Sequence, residues 1–156
     1  MDEQEIKYAG FWIRVAATMI DTALVVIVTL PLLVSIYGWS YFDPERSGFI
    51  AGPADFLISW VLPAVAVILF WIHRQGTPGK MLLALRIVDA SSGASLSLRQ
   101  GVVRYLGYFV SIAPLGMGLF WVAFDKRKQG FHDKLAHTVV VRSKQRGTEP
   151  VRLPHA

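Results

Sequence analysis

The sequence predicts an all-α polytopic membrane protein: two full transmembrane helices, a Pro/Gly-broken hydrophobic hairpin (or third span), and short cytoplasmic β-strands. Three observations predict it. Of 156 residues, 53% are hydrophobic and the mean hydropathy is +0.43. These residues are clustered: 22–42, 56–72 and 105–124 carry no charge over 21, 17 and 20 positions, close to the roughly 20 residues a helix needs to cross hydrocarbon. Basic residues follow the apolar segments, as they do at a cytoplasmic membrane face. One domain is expected at this length: an acidic tail over 1–8, a membrane domain over 9–142 and a disordered cytoplasmic tail over 143–156.

The N-terminus is acidic and lacks the basic region and small-residue cleavage site of a signal peptide, so the first helix is expected to be retained. That helix runs over 9–37. Pro31 lies in its far half and predicts a kink, tolerated where neighbours satisfy the freed carbonyl. Trp12 at one end and Tyr37, Trp39 and Tyr41 at the other are placed as interfacial belts. Residues 38–55 hold Asp43, Glu45 and Asp55 against Arg46, with Pro44, Gly48, Gly52 and Pro53 as breakers, and read as a solvated outer loop. The second helix, 56–72, is about 25 Å long, with Trp60 and Trp71 expected at the interfaces and Pro63 interrupting it.

The polar connection 73–100 carries Arg74, Lys80, Arg86 and Arg99 against Asp89, so it belongs inside. Gly76-Thr77-Pro78-Gly79-Lys80 resembles a phosphate loop only superficially. Arg74 and Met81 stand where a Walker A needs Gly and Ser or Thr, and a tight turn is the expected role. Residues 83–88 lead into Asp89-Ala90-Ser91-Ser92-Gly93 as a strand into a turn. Residues 101–124 are apolar apart from Arg104, but Pro114, Gly116 and Gly118 break the middle. Three full spans would put the segment after Phe124 opposite 73–100, yet 73–100 and 125–156 together hold twelve of the sixteen Lys and Arg. The positive-inside rule wants both inside. A re-entrant hairpin turning at Pro114-Leu115-Gly116 resolves the conflict; a third full span is the alternative. A short amphipathic helix over 131–136 and a strand over 138–142 follow, the strand able to pair with 83–88.

Two charges stand out in the leading helix. Arg14 and Asp21 are seven positions apart with Thr18 between them, hence on one face. A charge near the bilayer centre costs roughly 2.5–3.5 kcal/mol on insertion scales. Arg14 can snorkel to the headgroups, whereas Asp21, about 10 Å further along, cannot. Asp21 therefore needs a counter-charge, for which Arg104 and Arg14 are the candidates, or a function as a carboxylate that exchanges protons or cations.

Other classes are excluded or unsupported. No cysteine is present, which removes disulfides and thiolate metal sites. The net charge of +5 sits beside membrane segments and carries no groove-reading motif, so no nucleic-acid partner is expected. His132 and His137, five apart, do not share a helical face, and no metal or other cofactor is expected. No nucleophile–base pair or paired catalytic carboxylates occur, so enzymatic activity is not expected. Lys126-Arg127-Lys128 reads as a topology anchor attracting anionic lipid headgroups.

An aromatic-Gly-Phe-Trp opening, Arg14, Ile20-Asp21, Thr77-Pro78-Gly79-Lys80-Met81-Leu82, Leu85-Arg86-Ile87-Val88-Asp89 and the run from Phe124 through His132-Asp133-Lys134-Leu135-Ala136 to Val141 together resemble the RDD family of bacterial membrane proteins. The family is named for one arginine and two aspartates. The resemblance implies Arg14 as the arginine, Asp21 as the first aspartate and Asp133 as the second, with Asp125 the weaker candidate for that place. Family members often carry Gly where His137 stands. On this basis Arg14 could clamp Asp133 bidentately and dock the C-terminal segment. The resemblance implies a bacterial inner-membrane protein. We expect both termini to be cytoplasmic and Arg14, Asp21 and Asp133 to converge near that face. The expected function is a transporter or ion/proton exchange unit, homo-oligomeric because so few spans cannot enclose a pathway. The alternative is a non-transporting scaffold or accessory subunit whose triad is a structural clamp.

Overall fold

The computed structural model describes residues 6–45, 48–143 and 147–153. The acids of the N-terminal tail (Asp2, Glu3, Glu5), Arg46, Lys144, Arg146 and Pro154 lie outside the described residues.

Helix α1 spans Phe11–Tyr37, 27 residues and about 40 Å of rise. It continues through Pro31. Hydroxyls carry some of the local polar burden: Thr29 Oγ1 donates to the Val25 carbonyl at 2.8 Å and Ser35 Oγ to that of Pro31 at 2.7 Å. Only Arg14, Ala17 and Leu33 of this helix are buried. A helix that is apolar all round yet buries almost nothing against protein needs lipid as its solvent.

The second apolar segment is one continuous run. Helix α2, Pro53–Phe56, passes through a π turn at Leu57–Val61 into helix α3, Leu62–Arg74. The expected interruption at Pro63 takes the form of that π turn, which accommodates the donor that proline lacks. Helix α1 and the segment containing α2 and α3 are each long and apolar enough to cross a membrane. Helix α4, Pro78–Leu82, follows with Thr77 as its N-cap residue. The motif expected as a tight turn is therefore the start of a helix.

Helix α5, Leu98–Ile112, opens on a capping box between Ser97 and Gln100. Helix α6, Met117–Phe120, continues as a 3₁₀ turn to Ala123, and the pair is bent by 113°. The bend falls where the sequence places it. Leu115 (φ 53°) and Gly116 (φ 78°) occupy left-handed backbone after Pro114. Helix α7, Phe131–Leu135, matches the short helix expected there.

Three strands form one antiparallel sheet in the order β1-β3-β2: β1 is Lys7–Tyr8, β2 is Leu85–Asp89 and β3 is Thr138–Arg142. The expected pairing of β2 with β3 is present, with Ile87 opposite Val140. The third strand comes from the segment assigned to the acidic tail: Tyr8 pairs with Val141. Both faces of the sheet are covered, which explains why β3 reads as an unbroken Val139-Val140-Val141 run rather than an alternation. Leu85, Ile87 and Val140 pack under Ala17 and Trp71, while Val88, Val139 and Val141 pack with Val151. Trp71 is accordingly buried in the core rather than at an interface.

That last contact involves part of the segment expected as a tail. Over 147–153 the chain lies against the sheet unit: Val151 donates its N–H to the Gly93 carbonyl at 3.0 Å. Gln75 donates to the Thr148 carbonyl and Arg86 to that of Glu149. The composition is that of a disordered segment, but one apolar residue in a sheet-lined pocket anchors it. Because one sheet gathers segments from before α1, after α3 and after α6, the start of α1 and the end of α3 meet at that sheet.

Candidate functional site

Helix α7 carries Asp133 into the middle of the molecule. It gets there because α5 is smooth where the two meet. A Cβ on Gly107 would lie 2.9 Å from His132 Cα, so only glycine allows this approach. Asp133 is fully buried and both of its oxygens are engaged. Oδ2 accepts from Arg14 Nη1 at 2.6 Å and from the Gly130 N–H at 3.0 Å. Oδ1 pairs with Arg104 Nη1, which also donates to Thr138 Oγ1 at 2.6 Å. Burial alone would raise the Asp133 pKa; Arg104 and Arg14 outweigh it and hold the carboxyl well below the usual range.

Arg14 and Asp133, the pair expected as a clamp, are thus in contact. Arg14 is not bidentate to Asp133. Its fork reaches three partners: Asp133, the Lys128 carbonyl and, through Nε at 3.0 Å, the Ala9 carbonyl. It ties the base of α1 to two separate segments. The second cation, Arg104, had been expected as a partner for Asp21. It lies instead between Asp133 and the faces of Trp71 (5.1 Å) and Tyr108 (5.9 Å).

Asp21 sits apart from this cluster. Neither Arg14 nor Arg104 is its counter-ion among the described residues. Thr77 Oγ1 donates to it at 2.5 Å and the Gly79 N–H at 2.7 Å, with Lys80 Nζ at 3.8 Å. The carboxylate therefore receives the first turn of α4, which is why the Thr77-Pro78-Gly79-Lys80 motif is there. Arg14 and Asp133 meet; Asp21 forms a second, independent contact on the same helix. Thr18, the residue between them, donates to the Arg14 carbonyl of its own helix at 2.9 Å.

The remaining candidates are structural in their contacts. Asp125 accepts the N–H groups of Arg127 (3.0 Å) and Gln129 (3.1 Å) and pairs with Lys134 at 2.6 Å, closing the turn into α7. Burial raises its pKa, but Lys134 and the two N–H groups outweigh burial and lower it. Arg127, counted with the lipid anchor, donates to the Ala90 carbonyl at 2.6 Å and lies over the Tyr8 ring. His137 keeps a left-handed backbone (φ 52°), the conformation that explains a preference for glycine there.

His132 is stacked on Tyr108 with ring centroids 4.1 Å apart, and its Nδ1 lies 3.2 Å from Ser111 Oγ. Burial, aided by the neighbouring cations, pushes its pKa down to about 3 against the pull of Asp133. The unfolded chain binds this proton near pH 6.5 and the folded chain does not, so protonation favours unfolding. Asp133 acts in the same direction below about pH 3.8. The melting temperature is therefore expected to be flat above about pH 6.5 and to fall continuously toward pH 3. Scanning fluorimetry in detergent across that range checks it; a His132→Phe variant should shift the onset to lower pH.

Sequence reasoning missed Asp55, taken as part of a solvated loop. It is buried and accepts from the Ala51 N–H at 2.7 Å, Ser59 Oγ at 2.6 Å and Tyr41 Oη at 3.1 Å, fastening the far ends of α1 and α2. The signal was available: Asp55 lies four residues before Ser59 at the start of a helix.

Apolar helices that need lipid, and a polar sheet unit fastened to them by a carboxylate between two arginines, define an integral membrane protein with a buried charge clamp. The chain belongs to the RDD family, whose model matches residues 8–137. It is 31% identical over 142 residues to the uncharacterized membrane protein YteJ of Bacillus subtilis, covering 88% of this chain and 82% of that one. Similarity to the uncharacterized protein YxaI of the same organism is 28% over 158 residues, covering 86% and 97%. The uncharacterized protein RP437 of Rickettsia prowazekii is 37% identical over 76 residues, 49% of this chain and 42% of its own length. No solved structure matches the chain.

Proposed function

We propose that this protein is a small multi-pass transport or ion/proton exchange unit of the bacterial inner membrane, with Asp21 as its exchanging carboxylate. The observation that supports this reading is the contrast between the two family aspartates. Asp133 is fully enclosed and held by two guanidiniums, so it cannot change charge without unfolding the clamp. Asp21 is partly exposed, its one cationic neighbour among the described residues is a lysine at the long distance of 3.8 Å, and that lysine lines a cavity between α1, α5 and α6. A carboxylate with a single loose counter-ion can exchange it for another cation or a proton.

The shared sheet supports a topology with both termini cytoplasmic. Helix α1 leaves and the α2–α3 segment returns, while α5 and α6 form a re-entrant hairpin rather than a third span. Two spans and a hairpin enclose no pathway, so a homo-oligomer belongs to the proposal, with no enzymatic step. Liposomes containing the protein should pass Na⁺, K⁺ or H⁺ faster than empty vesicles, and Asp21→Asn should abolish the difference. Equal flux in all three preparations overturns the proposal. The second reading is an accessory subunit whose triad only clamps. It is favoured by the complete pairing of Asp133, and it predicts loss of abundance in Asp21→Asn with no flux in the wild type.

A further inference from the structure

The cavity between α1, α5 and α6 has a volume of about 670 Å³ and an uneven distribution of charge. Its floor holds the cations Arg14, Lys80 and Arg104, all buried. Against these stand two carboxylates, Asp133 and Asp21, which leaves one positive charge in excess. His132, also on the floor, is neutral at physiological pH. Arg104 Nε and Nη2, fully buried, find no hydrogen-bond partner among the described residues. A guanidinium with two unanswered donors in a dry site is costly unless an acceptor arrives.

The mouth is the opposite. Met19, Ile112 and Phe120 line it and are 69%, 56% and 55% exposed on the surface of apolar helices. Between floor and mouth, Val15, Met19 and Ala23 continue the lining along α1 for about 13 Å beyond Arg14. A ligand that satisfies both ends carries an anion on an apolar chain. The cations sit at the end of α1 where headgroups lie, and the apolar lining runs toward the hydrocarbon.

We infer that this cavity is a binding site for an anionic phospholipid of the surrounding bilayer, its phosphate on Arg104 and Lys80 and an acyl chain along α1 past Ala23. The site shares Lys80 with the proposed exchange site, but lipid binding requires no ion flux and is read out separately from it. It is also distinct from attraction of lipid to the exposed lysines after residue 124, which salt abolishes.

The test uses the full chain in phosphatidylcholine bilayers with spin-labelled phosphatidylglycerol or phosphatidylcholine as probe. Salt at about 1 M shortens the Debye length to roughly 3 Å and suppresses surface attraction. The wild type should immobilise phosphatidylglycerol on the order of tenfold more strongly, the worth of a charge-assisted hydrogen bond in a dry site. Ala23→Phe, which fills the groove from an exposed position, should remove that preference, while soluble glycerol phosphate should not displace the label. Equal immobilisation of the two lipids overturns the inference, as does a preference that survives Ala23→Phe. Displacement by glycerol phosphate also overturns it, because the ligand is then a free anion. Efficient cross-linking between copies through Met19→Cys overturns it too, because a second chain then fills the groove. Should Ala23→Phe fail to fold, the wild-type preference and the competition arm decide.

Discussion

Asp133→Asn is expected to lose about 3–5 kcal/mol of stability, enough to remove most of a marginally stable protein from the membrane. The substitution keeps size and shape; it removes the charge and turns one acceptor oxygen into a donor NH2 that faces other donors. Two guanidiniums, one of them fully buried, would be left without a counter-ion, and the Gly130 N–H would lose a charged acceptor. Membrane abundance by immunoblot and melting temperature in detergent are the measurements; wild-type values for both would sink the clamp. Charge reversal sharpens the test. Exchanging Arg14 and Asp133 is expected not to rescue the single variants, because an arginine at 133 would face Arg104, which the exchange leaves in place. A two-body clamp would be rescued, and a three-body clamp is not.

Gly79→Val is expected to produce the second-largest loss, about 2–4 kcal/mol, from overpacking together with a broken polar contact. A Cβ at Gly79 would stand 2.9 Å from the Asp21 carboxylate and would also collide with the Ala17 carbonyl. The Ala17 carbonyl is backbone, and the Asp21 carboxylate is held in place by Thr77 and the Gly79 N–H. Helix α4 must then lift from α1, taking Lys80 and the Gly79 N–H from Asp21 and leaving that carboxylate to Thr77 or to nothing. Gly79→Ala should show a reduced version of the same effect. Melting temperature and protease sensitivity of the segment after Arg74 read it out, and a Gly79→Val protein as stable and resistant as wild type would contradict the docking of α4 on Asp21.

The legible and illegible parts of this chain divide along a physical line. Apolar windows near 20 residues announced α1 and the α2–α3 run, and Pro114 with Gly116 announced the bend between α5 and α6. The β2–β3 pairing was legible because each strand is a short apolar run bounded by turns. Strand β1 was not: two residues, one of them Lys7, carry no periodicity, and only β3's free edge makes them a strand. Val151 was hidden for the same reason, one apolar residue in a polar tail.

At the site, the need for counter-charges could be read directly, but their assignment could not. Arg14 with Asp133 came from resemblance. Arg104, a candidate counter-charge for Asp21, serves Asp133 instead, and Lys80, for which no partner was expected, stands beside Asp21. The pairing depends on how closely α7 approaches α5 through Gly107, a distance that no spacing along the chain encodes.

By itself the sequence determined the solvent of each segment, since transfer of apolar surface and of charge between water and lipid is a property of local composition. It thereby determined that an acid nearly three turns into α1 had to be neutralised or used. Only the tertiary structure decided which cation answers which carboxylate and that a cation-floored groove opens on the apolar surface. Pairing energies at contact fall off within a few ångströms, and a one-dimensional pattern does not carry distances of that size between residues far apart in the chain, 29 positions for Arg104 and Asp133 and 119 for Arg14 and Asp133.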